Sequence, residues 1–317
     1  MKDEFRFPLL VALCSHVCAG TILLLVLIGG LFCRPAVPLA DPEGEFEEVL
    51  RWREKRLQNL QRDDGWLTLA GLFRLQEGEN TFGSDPDNDL VFPAGKMPGF
   101  AGTFHIGAEE TIIEVFEGVP ITSKGPPVSR RKLRSDADGD PTLFEIGSLT
   151  FYIIDRGGQL AIRLKDRESA VLKEFQGLEY FPIDLRWRVP ARFEPYKQAV
   201  SFNVPTALGT TSRLTSPGAL VFSIGGETYR LDAIGEPGAG ELFIIFGDRT
   251  NGKETYGGGR FLTTLLPDTE GAVVIDFNRA YNPPCVFTPY ATCPLPPPQN
   301  RLPVRVEAGE KAYDRHH

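Results

Sequence analysis

The chain has 317 residues, which is enough for two ordinary domains with sizeable cores. Hydrophobic residues make up 42% of it and charged residues 24%, as is typical of a globular protein. The 42 acidic residues outnumber the 34 Lys and Arg, so the net charge is −8, and no basic stripe offsets it. Such a surface repels phosphate backbones, so we expect no nucleic-acid partner.

The N-terminal segment contains an apolar run, "PLLVALCSHVCAGTILLLVLIGGLFC", at residues 8–33. A helix of about 20 apolar residues spans a bilayer. Lys2 and Arg6 precede the run and Arg34 follows it, which predicts a cytoplasmic N-terminus and an exported body, periplasmic or extracellular. We therefore predict residues 1–40 to be a cytoplasmic stub, a single-pass transmembrane anchor and a linker, so that the membrane is a partner.

Three fates of this segment remain open from the residues. Cleavage as a signal peptide would use "VPLA", which ends at Ala40 and is a poor match to a cleavage site. Attachment of a lipid at Cys33 would require a small residue before it, and Phe32 is bulky. An uncleaved signal anchor fits the sequence best.

The next segment has the spacing of an amphipathic helix. Asp41-Pro42 is a helix cap followed by a proline at the first helical position. Apolar residues then recur every three or four positions, at Phe46, Val49, Leu50, Leu57 and Leu60. We predict a short amphipathic helix within residues 41–65, packed on the body of the protein.

From Trp66 onward the hydrophobic pattern has period two, and 33 Gly and 26 Pro favour many short strands. The glycines in "RGGQ" after Asp155 and in "GGE" at Gly225 predict hairpin turns. Strand-like stretches begin at Thr111, Leu149, Leu160, Val200, Ala219, Thr228, Glu241 and Ala272. The predicted fold class is all-β: a β-sandwich at residues 66–174, followed by a second β subdomain at residues 175–317 with a Pro-rich C-terminal cap.

Part of the first β region resembles a known sandwich. The stretch "LFRLQEGENTFGSDPDNDLVFP" (residues 72–93), followed by "GTFHIG" from Gly102, resembles a forkhead-associated (FHA) domain. The stretch "LFEIGSLTFYII" (residues 143–154) resembles the closing strands of that family. The resemblance implies an FHA-like β-sandwich over residues 66–174.

The phosphate-reading residues of FHA domains are mostly replaced. Gly83 and the pair Asn88-Asp89 match family positions, but Ser84 stands where the family has its phosphate-binding arginine. Only His105 remains of the Ser-Arg-x-His motif. Since a guanidinium supplies the bidentate contact to phosphate, the resemblance implies the fold without phosphothreonine binding.

A second resemblance covers most of residues 52–311. It is to a prokaryotic family called domain of unknown function 1684 (DUF1684), and it implies a family without a known activity. The motifs that carry it are "DGWLTLAGLFRL" (Asp64–Leu75), "FGDRTNGKETYGGGRF" (Phe246–Phe261), "DFNRAYNPPC" (Asp276–Cys285) and "CPLPPPQNRLPVRVEAGEK" (Cys293–Lys311).

Several chemistries lack the residues that they require. Of four histidines, His16 lies in the apolar run and two lie at the C-terminus, which leaves His105 alone. A Ser-His-Asp hydrolase and a histidine-rich metal site are therefore excluded. "GGGR" at Gly257 lacks the Gly-Lys-Ser/Thr ending of a phosphate loop. We predict no cofactor and no metal.

Two cysteines lie close together near the C-terminus. Cys285 and Cys293 have seven residues between them, which predicts a disulfide in an exported protein and free thiols in the cytosol. A metal site built on this pair is the alternative, but it lacks two further ligands nearby. Cys14, Cys18 and Cys33 belong to the apolar run.

The Pro-rich segment that contains these cysteines cannot pair as a sheet, because proline has no N–H to donate. Its backbone must find side-chain partners, and Asp276, Asn278 and Asn300 are candidates. The structural interpretation is that these residues hold a stiff cap in place. For each residue by itself we favour this interpretation.

The functional interpretation adds residues from "GDRTNGKETYGGGRF", where carboxylates offer acid–base chemistry, Arg260 offers an anion clamp, and the glycines allow close approach of a ligand. The candidate ligand-binding residues are Asp248, Thr250, Tyr256, Arg260, Asp276, Asn278, Arg279, Tyr281, Asn282 and Arg301.

Three functions remain possible for this membrane-anchored, exported protein. The first is a binding or interaction module for a small polar or anionic ligand. The second is a histidine-independent hydrolase that uses Asp, Tyr and Arg residues of the C-terminal subdomain. The third is a structural envelope protein. A deep pocket that holds Asp248, Arg260 and Asp276 together would favour catalysis.

Overall fold

The helix predicted after Asp41 is the first element of the computed structural model, which describes residues 41–207, 209–235 and 240–313. It is α1 (Pro42–Leu60), and it begins where the sequence places its cap: Asp41 Oδ1 accepts a hydrogen bond from the Glu43 N–H at 3.2 Å. Val49 and Leu60 are buried on its inner face. Its 19 residues lie within the range 41–65 in which the helix was predicted.

Strands make up most of the remaining regular structure. The first half contains β1 (Leu69–Arg74), β2 (Gly78–Gly83), β3 (Leu90–Val91), β4 (Gly102–Ile106), β5 (Thr111–Val115), β6 (Arg130–Lys132), β7 (Phe144–Ile146), β8 (Leu149–Asp155) and β9 (Leu160–Asp166). The second half contains β10 (Arg188–Pro205), β11 (Thr211–Ile224), β12 (Glu227–Asp232), β13 (Glu241–Phe246), β14 (Arg260–Leu265) and β15 (Ala272–Asp276). The short helix α2 (Ala170–Lys173) lies between the halves, and single 3₁₀ turns occur at Trp66–Thr68, Asp136–Asp138, Leu185–Trp187, Phe277–Arg279, Pro284–Val286 and Pro298–Asn300.

The hairpin turns form where the glycines predict them. Gly157 and Gly158 join β8 to β9 with φ values of 71° and 87°. Gly225 and Gly226 join β11 to β12 with φ values of 61° and 88°. Side chains rarely adopt this left-handed conformation, so glycine fixes both the position of each turn and the register of its strands.

Two sheets enclose the first core, and all their strand pairs are antiparallel except β2 and β3, which run parallel. One has the strand order β3-β2-β4-β5-β6 and the other the order β1-β9-β8-β7. Phenylalanines from both sheets meet between them: the Phe82 ring lies 4.7 Å from that of Phe104 and 6.1 Å from that of Phe151. All three side chains are fully buried, and burying one such side chain stabilises the fold by about 1.5–3 kcal/mol.

The second core lies between a sheet of order β12-β11-β10-β15 and the pair β13-β14. The Thr264 hydroxyl on β14 donates to the Val274 carbonyl on β15 at 2.6 Å, which joins the two layers. β14 was not among the predicted strands, because its first residue is the charged Arg260, which we assigned to a polar pocket. Its remaining residues, "FLTTL", pack as a strand.

The C-terminal segment crosses this second core without forming a strand. Asn300 is fully buried, and its Oδ1 accepts from the Asp232 N–H at 2.7 Å. Its Nδ2 donates to the carbonyls of Asp232 and Ile245, both at 2.9 Å. The amide thus bridges the ends of β12 and β13, which is the backbone-satisfying role expected from the sequence.

The predicted fold class is wrong in its transmembrane helix. In the part of the chain that the structure describes, no helix is both long enough and apolar enough to cross a membrane. α1 has the length, but five of its residues are Glu and four are Lys or Arg, and charge is costly in hydrocarbon. The corrected class is a mostly β body behind one amphipathic helix. The anchor was predicted on residues 8–33, which lie outside the described residues, and export stays a prediction.

We predict that Asn300→Ala lowers the free energy of unfolding by about 2–4 kcal/mol, because it leaves one buried N–H and two buried carbonyls without this partner. Urea denaturation measures the change. Asn203→Ala, on the exposed side of β10, is the matched control and should change stability by less than about 0.5 kcal/mol. Equal effects of the two substitutions would contradict the bridging role.

Candidate functional site

A groove of about 1010 Å³ lies between α1 and the sheet edge formed by β14 and β15. We call it the α1 groove. Its wall contains the polar face of α1, the chain that follows α1, and residues from four strands. The lining residues are Glu48, Trp52, Lys55, Arg56, Asn59, Arg62, Asp64, Gly65, Trp66, Arg188, Glu241, Thr263, Thr264, Leu265, Leu266, Asp268, Ala272, Val273, Val274, Asp276, Arg279 and Tyr281.

Arg56 fixes the α1 wall against the body of the protein. Its Nε donates to Glu310 Oε1 at 2.9 Å, and its Nη2 donates to the Asn282 carbonyl at 3.0 Å. Its guanidinium lies 4.7 Å from the centre of the Tyr281 ring. Glu310 is fully buried, so this pair is shielded from water and from salt. The helix is therefore held at one position relative to the strands.

Arg279 fixes the floor of the groove. Its Nη2 donates to Glu48 Oε2 on α1 at 2.9 Å, and its Nε lies 3.2 Å from Asp276 Oδ2. The other oxygen of Asp276 accepts from the Asn278 N–H and side-chain amide, both at 3.0 Å. Asp276 thus caps the 3₁₀ turn that begins at Phe277, which orients Arg279 toward the helix.

Tyr281 lies at the junction of the groove and the interior. Its ring contacts Trp52 at 6.2 Å and Phe261 at 5.9 Å between ring centres. Burial disfavours the charged tyrosinate and raises the pKa of Tyr281 to about 12, although the nearby Arg56 cation acts in the opposite direction. The hydroxyl is therefore neutral at physiological pH.

Most charges in the groove already have partners. Arg62 and Asp64 pair through two hydrogen bonds, of 2.8 and 3.0 Å, and this contact lowers the pKa of Asp64. Asp268 accepts from two backbone N–H groups of its own turn. Within the described residues, Lys55 and Glu241 make no ion pair or side-chain hydrogen bond, and both are exposed. The uncommitted charges of the α1 groove are thus one cation and one carboxylate.

Three of the predicted ligand-binding residues line the groove: Asp276, Arg279 and Tyr281. Asp248 and Arg260 lie elsewhere, with both side chains fully buried. Arg260 Nη2 donates to Asp248 Oδ2 at 2.7 Å and to the Val306 carbonyl at 2.9 Å, and Nη1 donates to the Ala308 carbonyl. All of these hydrogen bonds from Arg260 are to other residues of the protein. The anion clamp considered in the sequence analysis is occupied by Asp248.

Other candidates satisfy the backbone of irregular segments. The Thr250 hydroxyl donates to Asp248 Oδ1 at 2.6 Å. Asn278 exchanges two hydrogen bonds with the backbone of Asp184, at 3.0 and 3.1 Å. The Asn282 amide donates to the Lys311 carbonyl at 2.7 Å. These residues have the structural role that the sequence analysis weighed against binding.

The glycines before Arg260 leave space that the protein itself fills. Gly259 has a φ of 87°, and a Cβ there would collide with Pro296 and with the Phe246 carbonyl. The close approach that we expected from a ligand is made by the proline of the C-terminal segment.

Tyr256 and Arg301 are not part of the α1 groove. Arg301 is exposed at the surface. Tyr256 lies beside the two cysteines, with its hydroxyl oxygen 3.7 Å from Cys285 Sγ. Cys285 and Cys293 are free thiols, so the predicted disulfide is absent from the structure. The spacing brought the two residues together, but the pairing also depends on the redox state of the surroundings, which spacing does not encode.

The residues that sequence reasoning missed come from α1. Trp52, Lys55 and Arg56 line the groove, yet none of them was among the predicted ligand-binding residues. The sequence carried one signal, since the predicted amphipathic helix contains an aromatic residue and two cations at positions 52, 55 and 56. Which strands it would face was not readable from that pattern.

The C-terminal half of the chain is similar to a known protein family. Residues 173–311 match the model of a family described as a protein of unknown function, DUF1684. This part of the chain belongs to the DUF1684 family. The match includes β10 to β15 and the C-terminal segment, but not the motif at residues 64–75 that we also assigned to the family.

A solution NMR structure of an uncharacterized protein from Haloarcula marismortui is also similar to this chain. The two are 35% identical, and the match covers 46% of this chain and 80% of that protein, with a TM-score of 0.39. No curated protein matches. Neither match is described as an FHA domain, so that resemblance is not confirmed.

We predict that Arg260→Lys in the DUF1684 region lowers the free energy of unfolding by about 3 kcal/mol. An ammonium cannot contact Asp248, Val306 and Ala308 with the same fork, so buried acceptors lose their donors. Chemical denaturation measures the loss. Arg249→Lys at the exposed neighbouring position should leave stability within about 0.5 kcal/mol of the original. A tolerated Arg260→Lys would show that the buried pair is dispensable.

We predict that stability falls above pH 10 through Tyr281. Its pKa in the folded state is raised to about 12 from 10, so the stability that it contributes is complete below pH 10 and is lost as the pH rises toward 12. Tyr281→Phe should remove up to roughly 2 kcal/mol of this decline in denaturation experiments between pH 10 and 12. The exposed Tyr290→Phe is the control. An unchanged decline in the Tyr281 variant would refute the assignment.

Proposed function

We propose that this protein is a binding module for a small polar or anionic ligand and that the ligand lies in the α1 groove. One observation carries the proposal: a groove large enough for a small molecule presents uncommitted charge on walls that internal contacts already hold in place. Ligand sites in proteins combine concave shape, apolar surface and a few polar groups in this way.

The rigidity of the walls favours binding. Arg56 on α1 forms an ion pair with Glu310. Arg279 forms ion pairs both with Glu48 on α1 and with Asp276 at the end of β15. A wall that is ordered before the ligand arrives spares the entropy of ordering it during binding. The groove therefore requires no large rearrangement to accept a ligand.

The distribution of charge indicates the chemistry of the ligand. Lys55 offers an ammonium that has no acidic partner among the described residues, and it can accept an anionic group. Glu241 offers a carboxylate for hydroxyl or amine donors. The acids Glu48 and Asp64 are held by Arg279 and Arg62, so they do not compete for Lys55.

The groove also offers apolar surface. Trp52 and Tyr281 contribute aromatic surface to its lining, and Leu265 is 78% exposed. Exposed apolar surface is unfavourable in water, so a ligand that covers Leu265 would gain binding free energy from burying it. A compact ligand with one anionic group, hydrogen-bond donors and an apolar face fits these features best.

Hydrolysis has weaker support than binding. A hydrolase built on Asp248, Arg260 and Asp276 would require the three to share one pocket, and the first two are paired inside the protein. A carboxyl group that acts as general acid needs a raised pKa, whereas contact with Arg62 lowers the pKa of Asp64. The arrangement therefore favours binding over hydrolysis.

A thermal-shift screen of polar and anionic metabolites on the full chain tests the proposal. A ligand present at a hundred times its Kd stabilises the folded protein by about 2.7 kcal/mol, which should raise Tm by about 5 °C. The Kd of each compound that raises Tm is then measured by calorimetry.

Lys55→Glu places an acid at the uncommitted cation and should weaken binding of an anionic compound at least tenfold. Lys253→Glu is the matched control, because it makes the same charge change at an exposed position outside the groove. If no compound raises Tm, or if both variants weaken binding equally, the proposed function is wrong.

A further inference from the structure

Two cysteine thiols meet in the C-terminal segment, away from the lining of the α1 groove. Cys285 lies in the 3₁₀ turn Pro284–Val286, and Cys293 follows eight residues later. The Cys285 N–H donates to Cys293 Sγ at 3.2 Å, which places the second sulfur directly beside the first residue. The chain between them therefore already forms the closed loop that a disulfide requires.

Tyr256 completes this cluster from a separate loop. The Cys285 thiol donates to the Tyr256 hydroxyl oxygen across 3.7 Å. The Asn251 amide donates to the Tyr256 carbonyl at 3.1 Å, which holds the tyrosine in position. When the thiol loses its proton, the same hydroxyl can turn and donate to the thiolate.

The two sulfurs differ in exposure and in acidity. Cys285 is partly exposed, whereas Cys293 is only 5% exposed. Hydrogen bonding to Cys293, aided by Tyr256, holds the pKa of the Cys285 thiol below its ordinary value, although burial opposes this. The contact with Cys285, together with burial, raises the pKa of the Cys293 thiol. Cys285 is thus the more exposed and the more acidic of the two thiols, and Cys293 is the more shielded.

We infer that Cys285 and Cys293 form a reversible dithiol–disulfide site in which Cys285 is the nucleophile, and that its reaction partner is a low-molecular-weight disulfide. A thiol pair with one accessible thiolate and one buried resolving thiol is the arrangement that thiol–disulfide exchange uses. This inference does not depend on the proposed ligand in the α1 groove.

The exchange balances in two steps. The Cys285 thiolate attacks one sulfur of the small disulfide, forms a mixed disulfide and releases one small thiolate. Cys293 then loses its proton and attacks Cys285 Sγ, which forms the protein disulfide and releases the second small thiolate. The two thiol protons of the protein end on the two small thiols. Two electrons pass from the protein to the small disulfide, and excess small thiol reverses both steps.

Oxidised glutathione is the probe for the first test, applied to the full chain at neutral pH. Mass spectrometry of non-reduced peptides should find Cys285 linked to Cys293, and the peptides separate this pair from the cysteines at 14, 18 and 33. In Cys293→Ser the glutathione should remain on Cys285. In Cys285→Ser, Cys293 should stay free. Dithiothreitol should return the wild-type pair to free thiols without denaturant.

Several results would overturn the inference: no reaction, glutathione on Cys293, or a stable mixed disulfide on Cys285 of the wild-type protein. A link that dithiothreitol cannot reduce in the folded protein would show a structural disulfide instead. Circular dichroism of each serine variant separates a lost reaction from a lost fold.

Tyr256→Phe tests the role of the hydroxyl independently. The variant should slow alkylation of Cys285 by iodoacetamide at neutral pH by about threefold, because the thiolate loses a hydrogen bond that stabilises it. Tyr290→Phe, which removes an exposed hydroxyl between the two cysteines in the sequence, should leave the rate unchanged. Equal rates in both variants would remove Tyr256 from the site.

Discussion

The buried ion pair between Arg260 and Asp248 is the interaction on which the C-terminal half depends. A charged pair inside a protein is costly unless every polar atom finds a partner. Here both terminal nitrogens of the guanidinium donate, also to the carbonyls of Val306 and Ala308 in a segment that forms no strand, while the buried Nε has no hydrogen-bond partner. The first residue of β14 thus binds the last part of the chain to the core, where a sheet would use its backbone hydrogen bonds.

A second buried ion pair, between Glu310 and Arg56, positions one wall of the groove. Glu310, four residues beyond Val306, is fully buried, accepts the Asn282 N–H and receives the guanidinium of Arg56 from α1. The C-terminal segment therefore determines where the helix lies, and the position of the helix opens the α1 groove above β14 and β15. An interior charge network and a surface groove are in this way parts of one arrangement. Structural and functional interpretations of these residues are compatible, because the buried residues position the exposed ones.

The thiol pair and the α1 groove belong to neighbouring parts of the structure. Cys285 and Tyr281 pack in the same apolar cluster, and Tyr281 lines the groove. A disulfide would tether the segment that carries Cys285. The two features nevertheless use different chemistry. The thiol pair would exchange electrons at sulfur, whereas the α1 groove would recognise the charge and shape of a ligand.

The sequence by itself determined those features that depend on local patterns. Period-two alternation located strands such as β8 and β13, glycine pairs located the hairpins, and a capped helical repeat located α1, because each of these is encoded within a few neighbouring residues. The lack of donors in the Pro-rich segment also showed that Asn278 and Asn300 would bind backbone.

Only the tertiary structure decided which charged residues are free. Asp248 and Arg260 looked like a site because both are ionisable and stand near glycines, but they satisfy each other across 12 positions of sequence. Lys55 looked like solvated surface, yet folding brings it to a groove whose other wall is about 200 residues further along the chain. Ion pairs between distant residues neutralise some charged side chains and leave others free to contact a ligand. That outcome depends on three-dimensional proximity, which local pattern does not contain.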